Sequence, residues 1–214
     1  MTVTLCAATT NPGKLRDFSV AAAEGGFTIE SPPNFKEIAP PAEDEPTFAG
    51  NARLKAQYYS RFNPGLVLAD DSGLEVDALG GEPGIRSARF AEDAGFEPRG
   101  VSGGLSIDAR NNLYLMSRMR GITQRTARYR CALAVAREGT VLLTAEGFVN
   151  GEILTDPRGT GGFGYDPLFL IPELRFTMAE ISLDQKHALS HRGRAFRALL
   201  PELRKLLRTP ASPQ

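Results

Sequence analysis

Only two cysteines occur in the 214 residues, Cys6 and Cys131, each in an apolar strand-like run and without metal-ligand spacing. That excludes a disulfide-stapled scaffold and a thiolate metal knuckle, and it reads as two buried free thiols in a reducing compartment. Charge of one sign is not in excess: Lys plus Arg and Asp plus Glu are 25 each. No global field therefore draws the chain to nucleic acid or to a membrane surface, and any affinity for anions must come from local clustering. No apolar run reaches transmembrane length, and the first residues, MTVTLCAATTN, lack the basic segment of a signal peptide. The expectation is a soluble, cytoplasmic protein with neither a nucleic-acid nor a membrane partner. Internal repeats are absent, and so is the G-x-x-x-x-G-K-[ST] phosphate loop. The length suits one large domain, or two small lobes sharing a sheet, able to bury its core without staples.

What is present centres on residues 66–90, LVLADDSGLEVDALGGEPGIRSARF. Four apolar residues, Leu66 to Ala69, have the length of a buried strand. Asp70, Asp71, Ser72 and Gly73 follow, and apolar residues return at Leu74, Val76 and Leu79. A buried strand ending in two carboxylates is costly, because ions lose hydration and neighbouring like charges repel. A divalent cation would relieve both costs, and Mg²⁺ favours one or two carboxylates with substrate phosphates. The plainer alternative is a solvated Asp-Asp-Ser-Gly turn.

Along the chain, Val3 to Ala8 reads as a first strand. A helix then runs to about Ala23, with Thr10 or Asn11 as its cap and Pro12 in its first position. Lys14 is out of place there, since the first turn favours negative charge; a bound phosphate would reconcile the two. Phe27 to Glu30 is a short strand, and the Pro-rich, acidic stretch from Ser31 to Pro46 is a loop. Thr47 caps a helix from Phe48 to about Arg61, on which Asn51 and Lys55 share one face and Leu54 with Tyr58 mark another that packs inward. Residues 91–106 are irregular. Asp108 is read as the cap of a helix over 109–120, with Leu113, Met116 and Met119 as its apolar stripe. Arg128 to Arg137 and Val141 to Val149 form a hairpin turned at Glu138-Gly139, and Glu152 to Leu154 extend the sheet. The loop GTGGFGYDPLF, 159–169, carries four glycines where backbone would approach a ligand closely, with Phe163 and Tyr165 offering aromatic faces on either side of Gly164. The alternative is a bulged loop with core aromatics. Lys186, His191, Arg192 and Arg194 lie close together, and Ser190 caps a final helix with Ala195, Leu199, Leu203 and Leu206 inward. His191 and Arg192 in that first turn repeat the anomaly of Lys14. An Mg²⁺-bound nucleoside triphosphate satisfies all of these features together.

Five segments, ATTNPGK (8–14), FAGNARLKA (48–56), ADDSGLEVDALGGEPGIRSAR (69–89), GTGGFGYDPLF (159–169) and KHALSHRGRA (186–195), resemble the inosine triphosphate pyrophosphatase family in that family's order. The resemblance implies an α/β fold of two lobes, with a long twisted mixed sheet flanked by helices and the active-site cleft between the lobes. Residues 1–207 would form this one domain, and 208–214 a frayed tail. It implies a homodimer, Mg²⁺ as cofactor, and hydrolysis of ITP, dITP and XTP to the monophosphate and pyrophosphate. Thr9, Thr10, Asn11, Pro12, Gly13 and Lys14 match the phosphate-binding loop. Asp71 matches the catalytic acidic residue and metal ligand, and Ser72 a substrate contact. Phe163, Gly164, Tyr165 and Asp166 match the base-binding loop, and Lys186, His191 and Arg192 the residues that read the purine. The stretch PAEDEPTF departs from the family pattern, so the second metal ligand is Glu43, with Glu45 as alternative. No role falls to residues 97–106. Other readings are a pyrophosphatase for other modified nucleotides and a non-catalytic nucleotide-sensing module.

Overall fold

The structure is a computed structural model and describes residues 3–32, 35–98 and 104–208. In chain order the elements are β1 (Val3–Ala7), α1 (Pro12–Gly25), β2 (Phe27–Glu30), α2 (Phe48–Tyr59), β3 (Val67–Val76), α3 (Phe90–Asp93), α4 (Ile107–Arg118), β4 (Thr126–Arg137), β5 (Thr140–Ile153), β6 (Phe169–Ile171), β7 (Phe176–Thr177), α5 (Leu183–Leu189) and α6 (His191–Arg208). The strands are hydrogen-bonded in the order β2-β1-β3-β4-β5-β6-β7. β1 is parallel to both β2 and β3, whereas β5, β6 and β7 pair antiparallel, so the sheet is mixed and the fold α/β. The chain divides into two compact units: Met1–Asp71, Cys131–Phe148 and His187–Gln214 form the first, and Ser72–Arg130 with Val149–Lys186 the second.

In the first unit, β1 and the opening of β3 are short apolar parallel strands, as buried parallel strands should be. α1 begins on Asn11, whose side-chain oxygen accepts from the N–H groups of Gly13 and Lys14, and ends on Gly26 in the left-handed region. Phe18, Ala21 and Ala22 of α1, Leu5, Leu68, Leu133 and Val135 of the strands, and Phe196, Leu199 and Leu203 of α6 make one core. The β4–β5 turn has positive φ at both Glu138 (50°) and Gly139 (78°), which matches the twist of paired strands. In the second unit, Leu74, Val76, Leu115, Met119, Leu168 and Phe169 are buried, and Tyr129 lies against Phe169 with ring centroids 4.4 Å apart.

Several expectations change. β3 does not stop at Ala69; it runs unbroken through the aspartates to Val76, so the acidic pair is neither a strand end nor a turn. On α2 the buried face carries Asn51, Ala52, Lys55, Ala56 and Tyr59, while Leu54 and Tyr58 are only half-buried. α4 is capped by Ser106 rather than Asp108, and its buried side is Asn111, Leu115 and Met119 instead of Leu113 and Met116. β5 joins the two expected strand pieces into one. Arg208 closes α6, and residues 209–214 of the expected tail lie outside the described residues, as do 99–103 of the stretch given no role. No helix among the described residues is long and apolar enough to cross a membrane.

Gly147 tests how closely β5 meets α6. A Cβ there would collide with the backbone nitrogen of Ala195 and the carbonyl oxygen of His191, and backbone atoms cannot rotate away. Gly147→Ala should therefore lower the urea-unfolding free energy by about 1–3 kcal/mol, the usual cost of overpacking; an unchanged midpoint would mean that helix and strand have room to part.

Candidate active site

Strand alternation decides the fate of the two aspartates. Consecutive side chains on β3 point to opposite faces, and Asp70 and Asp71 are 3% and 8% exposed. Each meets its own cations. Asp70 Oδ2 lies 2.8 Å from the Lys14 ammonium and 4.0 Å from Arg192 Nε. Asp71 Oδ1 accepts from Lys55 Nζ at 3.2 Å, and its Oδ2 accepts from the Asn51 amide at 3.1 Å. Lys55 donates in addition to Glu43 Oε2 at 2.7 Å. The carboxylate of Glu43 and that of Asp71 thus converge on one cation. Glu45 is placed differently: its N–H donates to Asn51 Oδ1 at 3.2 Å, and its carboxylate lies over Gly50 at the start of α2.

The two acids titrate in opposite directions. Burial pushes the Asp70 carboxyl up, but Lys14, Arg192 and Lys55 together outweigh it and hold the group below its ordinary value of 3.8. At Asp71 burial wins over Lys55 and Asn51, and the carboxyl rises. Burial opposes the charge on Lys55, yet Asp71, Asp70 and Glu43 more than compensate, so the ammonium is held more firmly than usual. One acid is locked in its ionised form and its neighbour is readier to take a proton, the kind of divergence that assigns roles in acid–base sites.

The first-turn cations do not require an outside anion to explain them. Lys14 turns back to Asp70, and Asn11 consumes two of the helix N–H groups expected to face a phosphate. Thr10, Asn11 and Pro12 are exposed; Thr9 and Gly13 are half-buried. Arg192 NH1 lies 3.3 Å from Asp17 Oδ2, and Asp17 Oδ1 lies 3.4 Å from His187 Nδ1. His191 opens α6 and is buried, and Ser190 Oγ accepts from Gly193 N–H at 3.0 Å as the cap.

In the second unit a separate cluster forms around Asp166, which is 4% exposed. It accepts from Phe163 N–H at 2.9 Å, from Tyr129 OH at 3.2 Å and from the Lys186 ammonium; that ammonium also lies 5.2 Å from the Phe163 ring centroid. Tyr165 does not offer an open face: its ring is buried and its hydroxyl donates to Ser87 O at 2.8 Å. Three of the four glycines serve the chain's own packing. A Cβ at Gly159 would come within 2.7 Å of the Ala179 carbonyl, one at Gly161 within 2.9 Å, and one at Gly162 would strike the Asp166 carboxylate. Only Gly164 has open space around it. Ser72 is half-buried on β3, the first residue of this unit.

Residues without an assigned site role in the sequence thus enter: Lys55, Asn51, Asp17, His187 and Tyr129. The i, i+4 pairing of Asn51 and Lys55 was a usable signal, because two polar residues sharing one face of a helix opposite a buried strand call for a buried acid. Asp17 and Tyr129 gave none.

The fold and site define an α/β protein with cations at two helix starts beside a buried acid and a glycine loop packed against its own chain. Its family is shown by comparison. The chain belongs to the Ham1 family, whose profile matches residues 5–202. A dITP/XTP pyrophosphatase of Acidobacterium capsulatum is 60% identical over 204 residues, covering 95% of this chain and 99% of that protein. One of Thermus thermophilus is 45% identical over 195 residues, covering 90% and 88%. The solved Ham1 protein of Staphylococcus aureus superposes with a TM-score of 0.78 at 34% identity, covering 95% of this chain and 99% of that one. The resemblance drawn from the five segments is borne out.

Asp70→Asn removes the shared partner of Lys14 and Arg192 and should cost about 3 kcal/mol of stability at neutral pH, the scale of breaking a buried ion pair. Because the folded-state carboxyl sits below 3.8, its contribution is complete above that value and is lost as pH falls through the folded-state value. Urea titrations of both proteins in chelator should show the gap closing there; a gap independent of pH would mean that shape rather than charge is at stake.

Proposed function

We propose that this chain hydrolyses the non-standard purine nucleoside triphosphates dITP, XTP and ITP to the monophosphate and pyrophosphate, with Mg²⁺ as cofactor, as a cytoplasmic homodimer. The observation that carries this is the convergence of Asp71 and Glu43 on one cation position beside a strand whose acid is tuned upward. The 60% identity to a protein named dITP/XTP pyrophosphatase supports the substrate class.

The donor set fits the metal. Two carboxylates from separate elements already hold one cation in common, and hard oxygen donors in that number suit Mg²⁺ completed by phosphate and water. Asp71 and Glu43 would hold it, and when bound it neutralises charge on phosphate oxygens and lowers the pKa of bound water. Asp71 would orient the attacking water at the α-phosphorus and take its proton. Lys55, kept charged by its three acids, offsets negative charge gathering on the phosphoryl oxygens. Lys14 would lend its charge to the remaining phosphates while keeping its ion pair with Asp70. Asp70 anchors Lys14 and Arg192 and takes no proton itself.

Base choice would rest on a donor for the purine 6-oxo group, from Arg192 or from N–H groups of the loop. Adenine presents its own donor at that position, leaving one buried donor unpaired at a cost of roughly 1–3 kcal/mol. Phe163 supplies a face for the ring.

Two measurements test this. Purified protein should release pyrophosphate from ITP and XTP with Mg²⁺, and little from ATP or GTP; orthophosphate instead would move the attack off the α–β linkage, and tight binding without turnover would favour a sensor. Asp71→Asn should lose at least a hundredfold in kcat, roughly the contribution of general base catalysis, while still binding ITP in equilibrium dialysis. Full activity in that variant overturns the assignment.

A further inference from the structure

Asp108 lies two residues after the Ser106 cap of α4, and Asn112 one turn further on, so both project from the same side of the helix. Asp108 Oδ2 accepts from the N–H of Gly164 at 2.7 Å. Asn112 Nδ2 donates to the carbonyl oxygen of the same Gly164 at 3.0 Å. One glycine thus has both of its backbone polar groups held by side chains 52 and 56 residues away in sequence. Gly164 sits at φ 63°, a left-handed conformation that glycine reaches without steric penalty but also leaves readily. It is, besides, the only glycine among the four of this loop that the chain's own packing does not require. A hinge is therefore placed where the loop most needs fixing, between Phe163 and Asp166, and α4 removes its freedom.

The polarity of the pair fits this task. Asp108 is an acceptor only, facing a donor, and its charge makes the bond a strong one. The amide of Asn112 offers its nitrogen to Gly164, and its own oxygen is buried with no hydrogen-bond partner. Turning the amide over would set that oxygen against the Gly164 carbonyl, so the carbonyl dictates the orientation. The far side of the loop is fixed independently through Asp166, which holds Phe163 N–H and the Lys186 ammonium. Behind the helix, Asn111 fixes the segment that carries Ser87: its amide donates to Ala88 O at 3.0 Å and accepts from Ala91 N–H at 2.9 Å.

We propose that Asp108 and Asn112 are positioning residues for base recognition: clamping both polar groups of Gly164, they preset Phe163 and its neighbours before the nucleotide arrives. This rests on the reading of residues 163–166 as the base-binding loop. Presetting a recognition loop lowers the ordering cost of binding, so its loss falls on substrate capture and base choice rather than on the attack led by Asp71.

The test is a set of variants, Asp108→Ala, Asp108→Asn and Asn112→Ala, assayed for Mg²⁺-dependent pyrophosphate release from ITP and ATP and for amide hydrogen exchange over residues 159–166 without nucleotide. Asp108→Asn keeps an acceptor for Gly164 N–H and should behave as the parent. Asp108→Ala should raise KM for ITP about tenfold and Asn112→Ala about threefold, the scale of a charged and a neutral hydrogen bond. In both, kcat should stay within about twofold, because transition-state contacts are untouched, and the preference for ITP over ATP should fall. Loop exchange should quicken in both alanine variants and not in Asp108→Asn. Unchanged exchange in the alanine variants overturns the clamp, whatever the substrate. Quickened exchange with unchanged KM and base preference overturns its role in recognition. An Asp108→Asn variant as impaired as Asp108→Ala overturns the hydrogen-bond account. If the parent releases no pyrophosphate from ITP, the substrate reading falls, and the exchange data still decide the clamp.

Discussion

Two consecutive carboxylates buried in one strand are the constraint on which the first unit depends. The strand sends adjacent acids to opposite faces, so the fold brings a close cation to each. α1 supplies Lys14 and α6 supplies Arg192 to one face; α2 supplies Lys55 and Asn51 to the other. The packing of three helices is thereby tied to the charge of β3. An ion left alone there would cost several kcal/mol in order of magnitude, comparable with a large share of a domain's total stability.

The two solutions differ in completeness, and the difference has chemical use. Asp70 is enclosed by a lysine and an arginine that hold it ionised. Asp71 has one lysine, which it shares with Glu43, and burial still dominates its titration. In the proposed reaction the better-compensated acid would serve as scaffold and the less-compensated one as reagent. Lys14 serves accordingly: its charge is already met by Asp70, so a phosphate would join an existing ion pair rather than satisfy a bare cation. That moderates the affinity for any anion, which an enzyme needs if its products are to leave.

Much of this was legible in the sequence, and the failures have physical causes. α1, β2, the β4–β5 turn and the start of α2 followed from caps, alternation and turn residues, which are local signals. The five motifs identified the family. The extent of β3 was not legible, because Asp-Asp-Ser-Gly is turn-like by local preference and only tertiary cations keep it extended. The same omission made Lys14 and Arg192 look as if they called for a ligand: the sequence shows a cation at a helix start, but not the acid that folding brings to meet it. Asp108 suited a cap by type, yet Ser106 took that place and left Asp108 free to reach Gly164, 56 residues on. The glycines of residues 159–164 were read as room for a ligand, and most turn out to be room for Ala179 and Asp166.

That last reversal bears on what glycine-rich recognition loops are for. A loop that is flexible by composition becomes rigid when each glycine is pressed against a fixed neighbour, because the absent side chain permits contacts no other residue could make. Here Ala179, Asp166 and α4 each take one part of the loop. The boundary between the two units falls directly after Asp71, and Ser72 begins the unit that holds this loop. The two acids of β3 thus belong to one unit and this loop to the other, and the chain passes between the units after Asp71, Arg130, Phe148 and Lys186. If the loop reads the base as proposed, substitutions in its supports would change which base is accepted while the acids on β3 keep their own partners.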